Sequence, residues 1–329
     1  MNRMRWPLAL ALILSLGLFA AACQPGADNA TTGEQPTTGD AATTAPKAPA
    51  GGDAAMGGLG GADKPIVMSF VPSGDSAEIT AGADDIKALL ETATGMTFKT
   101  TVATSYAAVI EDVGAGNAHV AWLPTLSYIL AHEKFGVEPI LVVGRFGSTT
   151  YASQIITKAD SGIASLADLK GKTFCRPDAL STSGWVVPSV LMAASGVHES
   201  DLGKVVDAGG HDGVVKAVYN GDCDAGATFV DARTQVEEEF PDVSEKIVVI
   251  ATSDAIPNDN VSVIKDLPAD LVAKVRDGLL AVLKTEAGAK AMKTTYGVEA
   301  LEPADDTFYD TFRVTLDKSG IDVGSLIKE

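Results

Sequence analysis

Strand-like and helix-like segments alternate along this chain from about residue 65 onward, and this alternation constrains the fold more than any other feature. Residues 65–71 are rich in β-branched and aromatic side chains, which is typical of a strand. Residues 84–93 then carry aliphatic side chains at helical spacing, and Gly95 ends that pattern. Such alternation with short connections predicts an α/β fold in which mostly parallel sheets are flanked by helices.

A second series of the same kind begins near Tyr151, so we expect two lobes. Amphipathic helices predicted at 268–284 and 305–316 are expected to return to the first lobe. The predicted domains are lobe 1 from residues 64–150 plus 254–329 and lobe 2 from residues 151–253. Because ligands of open α/β sheets bind at the carboxyl ends of the strands, polar residues that follow strands are the candidates for a site.

Three hydroxyl side chains stand in a row at Ser181, Thr182 and Ser183, after one predicted strand and at the start of a predicted helix. The first N–H groups of a helix lack internal partners and carry partial positive charge, so such a start attracts anions. Pro188 is compatible with the first turn of this helix. The same pattern is typical of an ordinary N-cap, so two interpretations stay open: a simple cap, or a site for a tetrahedral oxyanion.

Further polar residues are expected at the same edge of the sheet. Gly209 and Gly210 allow close backbone approach, and His211 after them could donate to an anionic oxygen or be an exposed loop residue. Two tyrosines offer phenolic donors unless they pack in the core, and two aspartates follow predicted strands: Tyr106, Tyr151, Asp231 and Asp259. A carboxylate beside an anion requires a ligand that carries a proton or an ammonium group, which favours hydrogen phosphate, phosphite or an aminophosphonate over sulfate.

Charge and residue spacing exclude several classes of protein. The formal net charge of −18 argues against nucleic acid and anionic membrane surfaces as partners. The four histidines form no pair at helical or zinc-type spacing, so we predict no metal site. No sequence motif indicates a cofactor.

The first residues are typical of an export signal. Arg3 and Arg5 precede an apolar run, and small residues lead directly to Cys23. Residues 1–22 resemble a bacterial lipoprotein signal peptide, which implies a lipidated Cys23; a plain secretory signal is the alternative. Residues 23–63, rich in Ala, Gly, Thr and Pro, are predicted to form a flexible tether because that composition cannot bury a core.

Two more cysteines, Cys175 and Cys223, remain for a disulfide, which an exported setting permits. If both flank neighbouring parallel strands, their stagger would exceed the ~7 Å between Cα atoms that a bridge allows. Their pairing therefore stays open.

Four segments resemble, in order and spacing, the phosphate, phosphite and phosphonate substrate-binding family of ABC importers. The resemblance runs from about Ile66 to the C-terminus. The segments are Tyr106-Ala107-Ala108-Val109-Ile110, Val120-Ala121-Trp122-Leu123, Ser181-Thr182-Ser183-Gly184 with Pro188, and Ala208-Gly209-Gly210-His211.

This resemblance implies a type II periplasmic-binding fold whose two lobes close on a ligand in the cleft between them. It implies that Ser181, Thr182 and Ser183 hold the oxyanion, together with His211 and Tyr106. By the same resemblance, the rest of the ligand would meet a second tyrosine and acidic groups, here Tyr151, Asp231 and Asp259. The doubled glycine before His211, and Asp231 where some relatives have glutamate, depart from the family pattern.

Together these features predict a non-catalytic, lipid-anchored, monomeric receptor on the extracytoplasmic face of the cell membrane. Its partners would be a small phosphorus oxyanion and the permease and ATPase of an ABC transporter, with the membrane reached only through the lipid. A lipoprotein sensor with the same binding fold is one alternative. A phosphate-ester or ester hydrolase is another, although no Gly-x-Ser-x-Gly elbow surrounds Ser181 or Ser183.

Overall fold

The computed structural model describes residues 57–319. In chain order its strands are β1 (Ile66–Phe70), β2 (Phe98–Val102), β3 (Val120–Leu123), β4 (Glu138–Gly144), β5 (Thr150–Tyr151), β6 (Ser153–Lys158), β7 (Thr173–Arg176), β8 (Lys204–Asp207), β9 (Ala225–Phe229), β10 (Ile247–Thr252), β11 (Ile256–Pro257), β12 (Asn260–Val263) and β13 (Ala300–Pro303). The helices are α1 (Ser76–Thr94), α2 (Tyr106–Gly114), α3 (Thr125–Phe135), α4 (Val187–Ala194), α5 (His211–Asn220), α6 (Val243–Lys246), α7 (Ala269–Leu283), α8 (Glu286–Tyr296) and α9 (Asp310–Ser319).

The strands form two large sheets, and each sheet is the base of one lobe. The six-stranded lobe has the order β13-β4-β12-β3-β1-β2, and the five-stranded lobe has the order β10-β6-β9-β7-β8. Helices α7 and α8 pack against α1 in the six-stranded lobe, and α5 packs against β9 in the five-stranded lobe. The predicted α/β fold with two sheets is confirmed.

Strand direction differs from the mostly parallel sheets that the sequence predicts, because both sheets are mixed. In the six-stranded lobe β1 runs parallel to β2 and β3, whereas β12 is antiparallel to both β3 and β4. In the five-stranded lobe β7 is parallel to β8 and β9, but β6 is antiparallel to β9 and β10. The physical reason is connectivity. Parallel pairing of consecutive strands needs a crossover connection, usually a helix, whereas β12 joins its sheet as the chain returns from the other lobe.

A short two-stranded ladder lies where the chain passes between the lobes. Strands β5 and β11 pair antiparallel, with Tyr151 opposite Ile256 and Thr150 opposite Pro257. The outgoing and returning segments are therefore hydrogen-bonded to each other directly beside Tyr151.

Local capping explains why the first helix begins earlier than its apolar pattern predicts. The Asp75 carboxylate accepts hydrogen bonds from Ala77 and Glu78 N–H groups at 2.9 and 3.0 Å. The helix ends at Gly95, whose φ of 69° lies in the left-handed region that glycine tolerates best. Between these caps, Ile86 and the other aliphatic residues of one face are buried.

A cluster of three aromatic rings fills the core of the six-stranded lobe. The ring of Phe70 stacks on Trp122 with centroids 5.7 Å apart, and Tyr296 lies 6.0 and 6.1 Å from them. The Tyr296 hydroxyl donates to the Val71 carbonyl at 2.7 Å, so this buried phenol is satisfied. These contacts hold α8 against β1 and β3.

Cys175 and Cys223 form a disulfide, with Cα atoms 5.9 Å apart. The stagger expected for two parallel strands does not arise, because Cys223 lies before β9 in the turn that ends α5. There its N–H donates to the Ala217 carbonyl, so Cys223 belongs to the end of the helix and not to the extended strand. The bridge lies in the small core beneath α5, beside Val214 and Val218.

The predicted signal peptide, the lipidation site at Cys23 and most of the predicted tether lie outside the described residues. Residues 57–63, also predicted as tether, are held by hydrogen bonds: the Gly60 N–H donates to the Lys64 carbonyl at 2.7 Å, and the Gly60 carbonyl accepts from Thr97 at 2.8 Å. Within residues 57–319, no helix combines the length and the apolar character that crossing a membrane requires.

Candidate functional site

A wide helical turn, Thr182–Val186, carries the hydroxyl residues and leads into α4. Its hydrogen bonds span five residues, as where the Val187 N–H donates to the Thr182 carbonyl. The Ser181 Oγ accepts from the Gly184 N–H at 3.1 Å, so this residue is an N-cap. The three hydroxyl side chains are at most 2% exposed. Wide turns of this kind are rare in helices and frequent at functional sites.

Gly184 allows the turn to pack closely against the loop before it. A Cβ at this position would lie 2.2 Å from Pro177 Cδ and 2.8 Å from Ser181 Oγ. The proline ring is rigid, so we expect Gly184→Ala to lower the free energy of unfolding by about 1–3 kcal/mol, the usual cost of overpacking. Urea unfolding would measure the change. In the control variant Gly74→Ala the new Cβ has no neighbour closer than 3.8 Å, and equal losses in the two variants would contradict the steric argument.

The Thr182 hydroxyl reaches across to the start of α3 in the six-stranded lobe. Its Oγ1 accepts a hydrogen bond from the Leu126 N–H at 3.0 Å. The next residue, Ser127, has a fully buried Oγ that has no hydrogen-bond partner among residues 57–319. A buried hydroxyl without a partner is costly, so this helix start has an unused donor one residue after the N–H group that binds Thr182.

Two further hydrogen bonds join the lobes, and each also involves the start of a helix. The Tyr106 N–H at the start of α2 donates to the Asp178 carboxylate at 3.2 Å. Burial raises the pKa of Asp178, while hydrogen bonds from Leu180 and Tyr106 N–H groups oppose that rise. The His211 N–H at the start of α5 donates to the Ser73 carbonyl at 3.0 Å. The two lobes are therefore in contact around the Ser181–Ser183 turn.

Two tyrosines contribute neutral phenols to this region. Burial raises the pKa of Tyr106 well above its ordinary value, and the charges of Asp178 and, to a smaller extent, Asp259 add to the rise. Burial also raises the pKa of Tyr151, and so does Asp259, whereas hydrogen bonding with the Ser183 and Thr182 side chains lowers it. Both hydroxyls are therefore protonated at physiological pH and can donate to an oxyanion.

The imidazole of His211 is neutral and almost completely buried, at 5% exposure. Its Nδ1 lies 2.7 Å from Thr228 Oγ1, and its ring meets the Phe229 ring edge-on at 4.8 Å between centroids. Burial, with a smaller contribution from the charge of Arg145, lowers the pKa of His211 to about 3. Its hydrogen-bond partner is Thr228, and within residues 57–319 no serine–histidine hydrogen bond links it to the turn.

The two candidate aspartates have different surroundings. Asp259 forms an ion pair with Arg145, whose Nη2 lies 2.6 Å from Asp259 Oδ2. Asp231 is exposed, with a left-handed φ of 69°, and its backbone carbonyl accepts from Thr234. In the described part of the chain no hydrogen bond or ion pair joins its carboxylate to the other candidates. The structure thus brings together all the predicted site residues except Asp231.

Three parts of this arrangement were not predicted from the sequence: Arg145, Asp178 and the start of α3. Arg145 directly follows the apolar strand β4, and Asp178 follows Pro177 at the end of β7, so each occupies a position after a strand that could have marked it. The described residues hold no cluster of three or more metal-ligating side chains. Hydroxyls, neutral phenols and helix starts gathered in a buried place can hold an oxyanion.

Residues 68–309 match one protein family, described as the periplasmic phosphonate substrate-binding protein of an ABC transporter. The chain is 31% identical over 191 residues to the phosphate-import protein PhnD of Mycolicibacterium smegmatis, a match that covers 51% of this chain and 60% of the relative. It is 29% identical over 189 residues to the phosphonates-binding periplasmic protein of Escherichia coli, with 56% of each chain covered. The chain therefore spans less than two thirds of the length of either relative.

Solved structures share the fold. A binding-protein component of an ABC phosphonate transporter from Pseudomonas aeruginosa superposes with a TM-score of 0.70 at 20% identity, over 80% of this chain and 96% of the other. PhnD1 from Prochlorococcus marinus in complex with methylphosphonate gives 0.69 at 15% identity, over 77% and 97% of the two chains. The fold is that of the two-lobed periplasmic binding proteins. Since the family match covers residues 68–309, this chain belongs to the periplasmic substrate-binding proteins of phosphonate ABC transporters.

Proposed function

We propose that this protein is the binding component of an ABC importer and captures a phosphorus oxyanion between its lobes without catalysing a reaction. The observation that carries this proposal is the buried turn Ser181–Ser183, which meets the start of α3 through Thr182. On that basis Ser181, Thr182, Ser183, Tyr106, Tyr151 and His211 hold the ligand.

Local dipoles explain how such an acidic chain retains an anion. The whole protein has a net charge of −18, which repels anions at long range. At the proposed site, however, helix starts present partly positive N–H groups in a place from which water is excluded. The unused Oγ of Ser127 is an additional donor for a ligand oxygen. Short-range donors therefore outweigh the unfavourable long-range field.

The relatives support phosphorus ligands. One relative is a phosphate-import protein and another is a phosphonates-binding protein, and one solved neighbour holds methylphosphonate. Phosphate, phosphite and small phosphonates share a tetrahedral oxyanion that three hydroxyls and a helix start can surround.

Hinge closure is the proposed mode of capture, with lobe boundaries at 64–150 plus 254–329 and at 151–253. The ladder between β5 and β11 is the proposed hinge, because both chain segments that connect the lobes pair there. Opening would break the hydrogen bonds Leu126–Thr182, Tyr106–Asp178 and His211–Ser73. A ligand that bridges the lobes would favour the closed form through its differential contacts.

Outside the described residues, Cys23 is the proposed lipidation site and the following segment the tether to the outer face of the cell membrane. The protein would act there as a monomer that passes its ligand to a permease driven by an ATPase.

Calorimetric titration of the full-length protein would test this function. Phosphate, phosphite, methylphosphonate and sulfate should be compared at one pH and one ionic strength. We expect saturable binding of at least one phosphorus oxyanion and none of sulfate. If the folded protein bound none of the phosphorus ligands, the proposal would be overturned.

A hydroxyl deletion in the turn gives a residue-level test. We expect Ser183→Ala to weaken binding of the preferred phosphorus oxyanion about 5- to 150-fold, since ~1–3 kcal/mol is the usual cost of losing one hydrogen bond to a buried anion. Ser189→Ala is the matched control, because Ser189 donates to the Trp185 carbonyl one turn along the same helix. Unchanged affinity in Ser183→Ala would remove this residue from the site.

A further inference from the structure

Arg145 is a partly buried cation with three hydrogen-bond partners. Its Nη2 donates to Asp259 Oδ2 at 2.6 Å, its Nη1 to Asn258 Oδ1 at 2.8 Å, and its Nε to the Tyr296 carbonyl at 2.7 Å. The side chain is 14% exposed and that of Asp259 is 22% exposed. The ion pair is therefore largely removed from water. In this buried environment its Coulomb attraction is only weakly screened.

The backbone at Arg145 is as tightly held as its side chain. A tight turn returns the chain immediately after it, with Arg145 and Ser148 exchanging N–H to carbonyl hydrogen bonds at 2.9 and 3.0 Å. Phe146 and Gly147 in the turn have φ values of 53° and 72°. The Phe146 N–H donates to Glu299 Oε2 at 2.8 Å. This turn fixes the direction in which Arg145 leaves β4.

The ion pair lies beside the proposed ligand site. After burial, the largest influence, the charges of Asp259 and Arg145 shift the pKa of Tyr151 in opposite directions. The charge of Arg145 also acts on His211, and that of Asp259 on Tyr106. The backbone places the pair there as well, because Asp259 lies two residues after β11, in which Ile256 pairs with Tyr151. The Pro257 carbonyl of β11 also accepts a hydrogen bond from Thr125 Oγ1 at the start of α3, at 2.6 Å. Both members of the pair are therefore close to the same donors that surround the turn.

A ligand with an ammonium group needs a carboxylate that is free to accept it. Asp259 is already neutralised by Arg145, and the Asp178 carboxylate accepts hydrogen bonds from Leu180 and Tyr106 N–H groups. The carboxylate of Asp231 is exposed, and within residues 57–319 no hydrogen bond or ion pair joins it to the other candidate residues. An ammonium group placed near Asp259 would also meet the positive charge of Arg145.

We infer that the Arg145–Asp259 pair makes the site select phosphorus oxyanions without a cationic group and reject aminophosphonates. This inference rests on the proposed function and specifies its ligand class: inorganic phosphate, phosphite or a short alkylphosphonate. Arg145 is the specificity-determining residue, because it occupies the carboxylate that an ammonium group would need.

Ethylphosphonate and 2-aminoethylphosphonate are the best pair of probes, since they differ only in the amino group. In calorimetric titrations of the full-length protein we expect at least tenfold tighter binding of ethylphosphonate. In Arg145→Gln, Asp259 is released, and the affinity ratio should shift at least tenfold toward 2-aminoethylphosphonate. Arg145→Lys keeps the positive charge and should keep the discrimination. Thermal unfolding of each variant would establish that it is folded.

Arg176→Gln is the matched control. Arg176 is also partly buried and paired, with Nε 2.6 Å from Asp207 Oδ1 and its guanidinium over the Trp185 ring. Its loss should leave the ratio unchanged. Equal or tighter binding of 2-aminoethylphosphonate by the unaltered protein, or an unchanged ratio in folded Arg145→Gln, would overturn the inference while leaving the proposed function intact. A lack of binding to phosphate and to every phosphonate would overturn both the inference and the proposed function.

Discussion

Replacing both Cys175 and Cys223 with alanine is expected to lower the free energy of unfolding by about 4 kcal/mol. The bridge closes a loop with a sequence separation of 48 residues. On the chain-entropy account, a crosslink across a loop of this length removes about that much conformational freedom from the unfolded chain. The stabilised region includes β7, which precedes the Ser181–Ser183 turn, and β9, which contains Thr228. Urea unfolding at pH 7 would measure the loss.

Chemical reduction gives the matched control for this prediction. In dithiothreitol, the free energy of unfolding of the unaltered protein should fall to nearly that of the double variant, because both then lack the crosslink. The double variant itself should not respond to the reductant. A loss below about 1 kcal/mol, well under the usual range for a native bridge, would show that the crosslink does not constrain the unfolded chain as proposed.

The α/β alternation was predictable because most strands here are short apolar runs and most helices have a clear apolar face. Helix α3 was not predicted, for a physical reason. It is buried from Thr125 to Ala131 on every side, so its sequence has no polar face and no helical period. The β12 strand (Asn260–Val263) was missed because it carries polar residues at two buried positions, Asn260 and Ser262, which hydrogen-bond to each other.

Part of the candidate site could be predicted because its residues follow strands in a recognisable pattern. Ser181, Thr182, Ser183 and His211 meet that condition. Arg145 did not attract attention because one charged residue after an apolar strand is common at turns. Its role depends on Asp259, more than 100 residues later, and single-sequence patterns carry no information about such long-range pairs.

Strand position alone also overestimates a site, and Asp231 illustrates this. It follows β9 as predicted, yet its left-handed backbone conformation, φ 69°, directs the chain into a 3₁₀ turn at the surface. His211 approaches the same strand from α5 and contacts Thr228 and Phe229. The residue that reaches the site from this edge is therefore set by backbone direction, which the sequence pattern does not specify.

Acidification is expected to destabilise the ligand-free protein through His211. The pKa of this imidazole is 6.5 in the unfolded chain and about 3 in the folded protein, where burial disfavours the charged form. Between these values the unfolded chain binds the extra proton, so stability falls as pH falls. The contribution of His211 to the free energy of unfolding is complete above pH 6.5. About 3 kcal/mol of it is lost by pH 4, and about 4–5 kcal/mol in total by pH 3.

Comparison with His211→Asn isolates this contribution from that of the many carboxylates. Asparagine retains a polar group near Thr228 but does not titrate. Between pH 7 and pH 4 the His211→Asn variant should therefore lose about 3 kcal/mol less free energy of unfolding than the unaltered protein. His198→Asn, which alters an exposed histidine, is the control and should follow the unaltered protein. Parallel profiles for His211→Asn and the unaltered protein would contradict a buried neutral imidazole. A shallower profile for His211→Asn would support a buried, neutral His211. The site would then donate to its anion from uncharged groups and helix starts, because the nearby cation Arg145 is paired with Asp259.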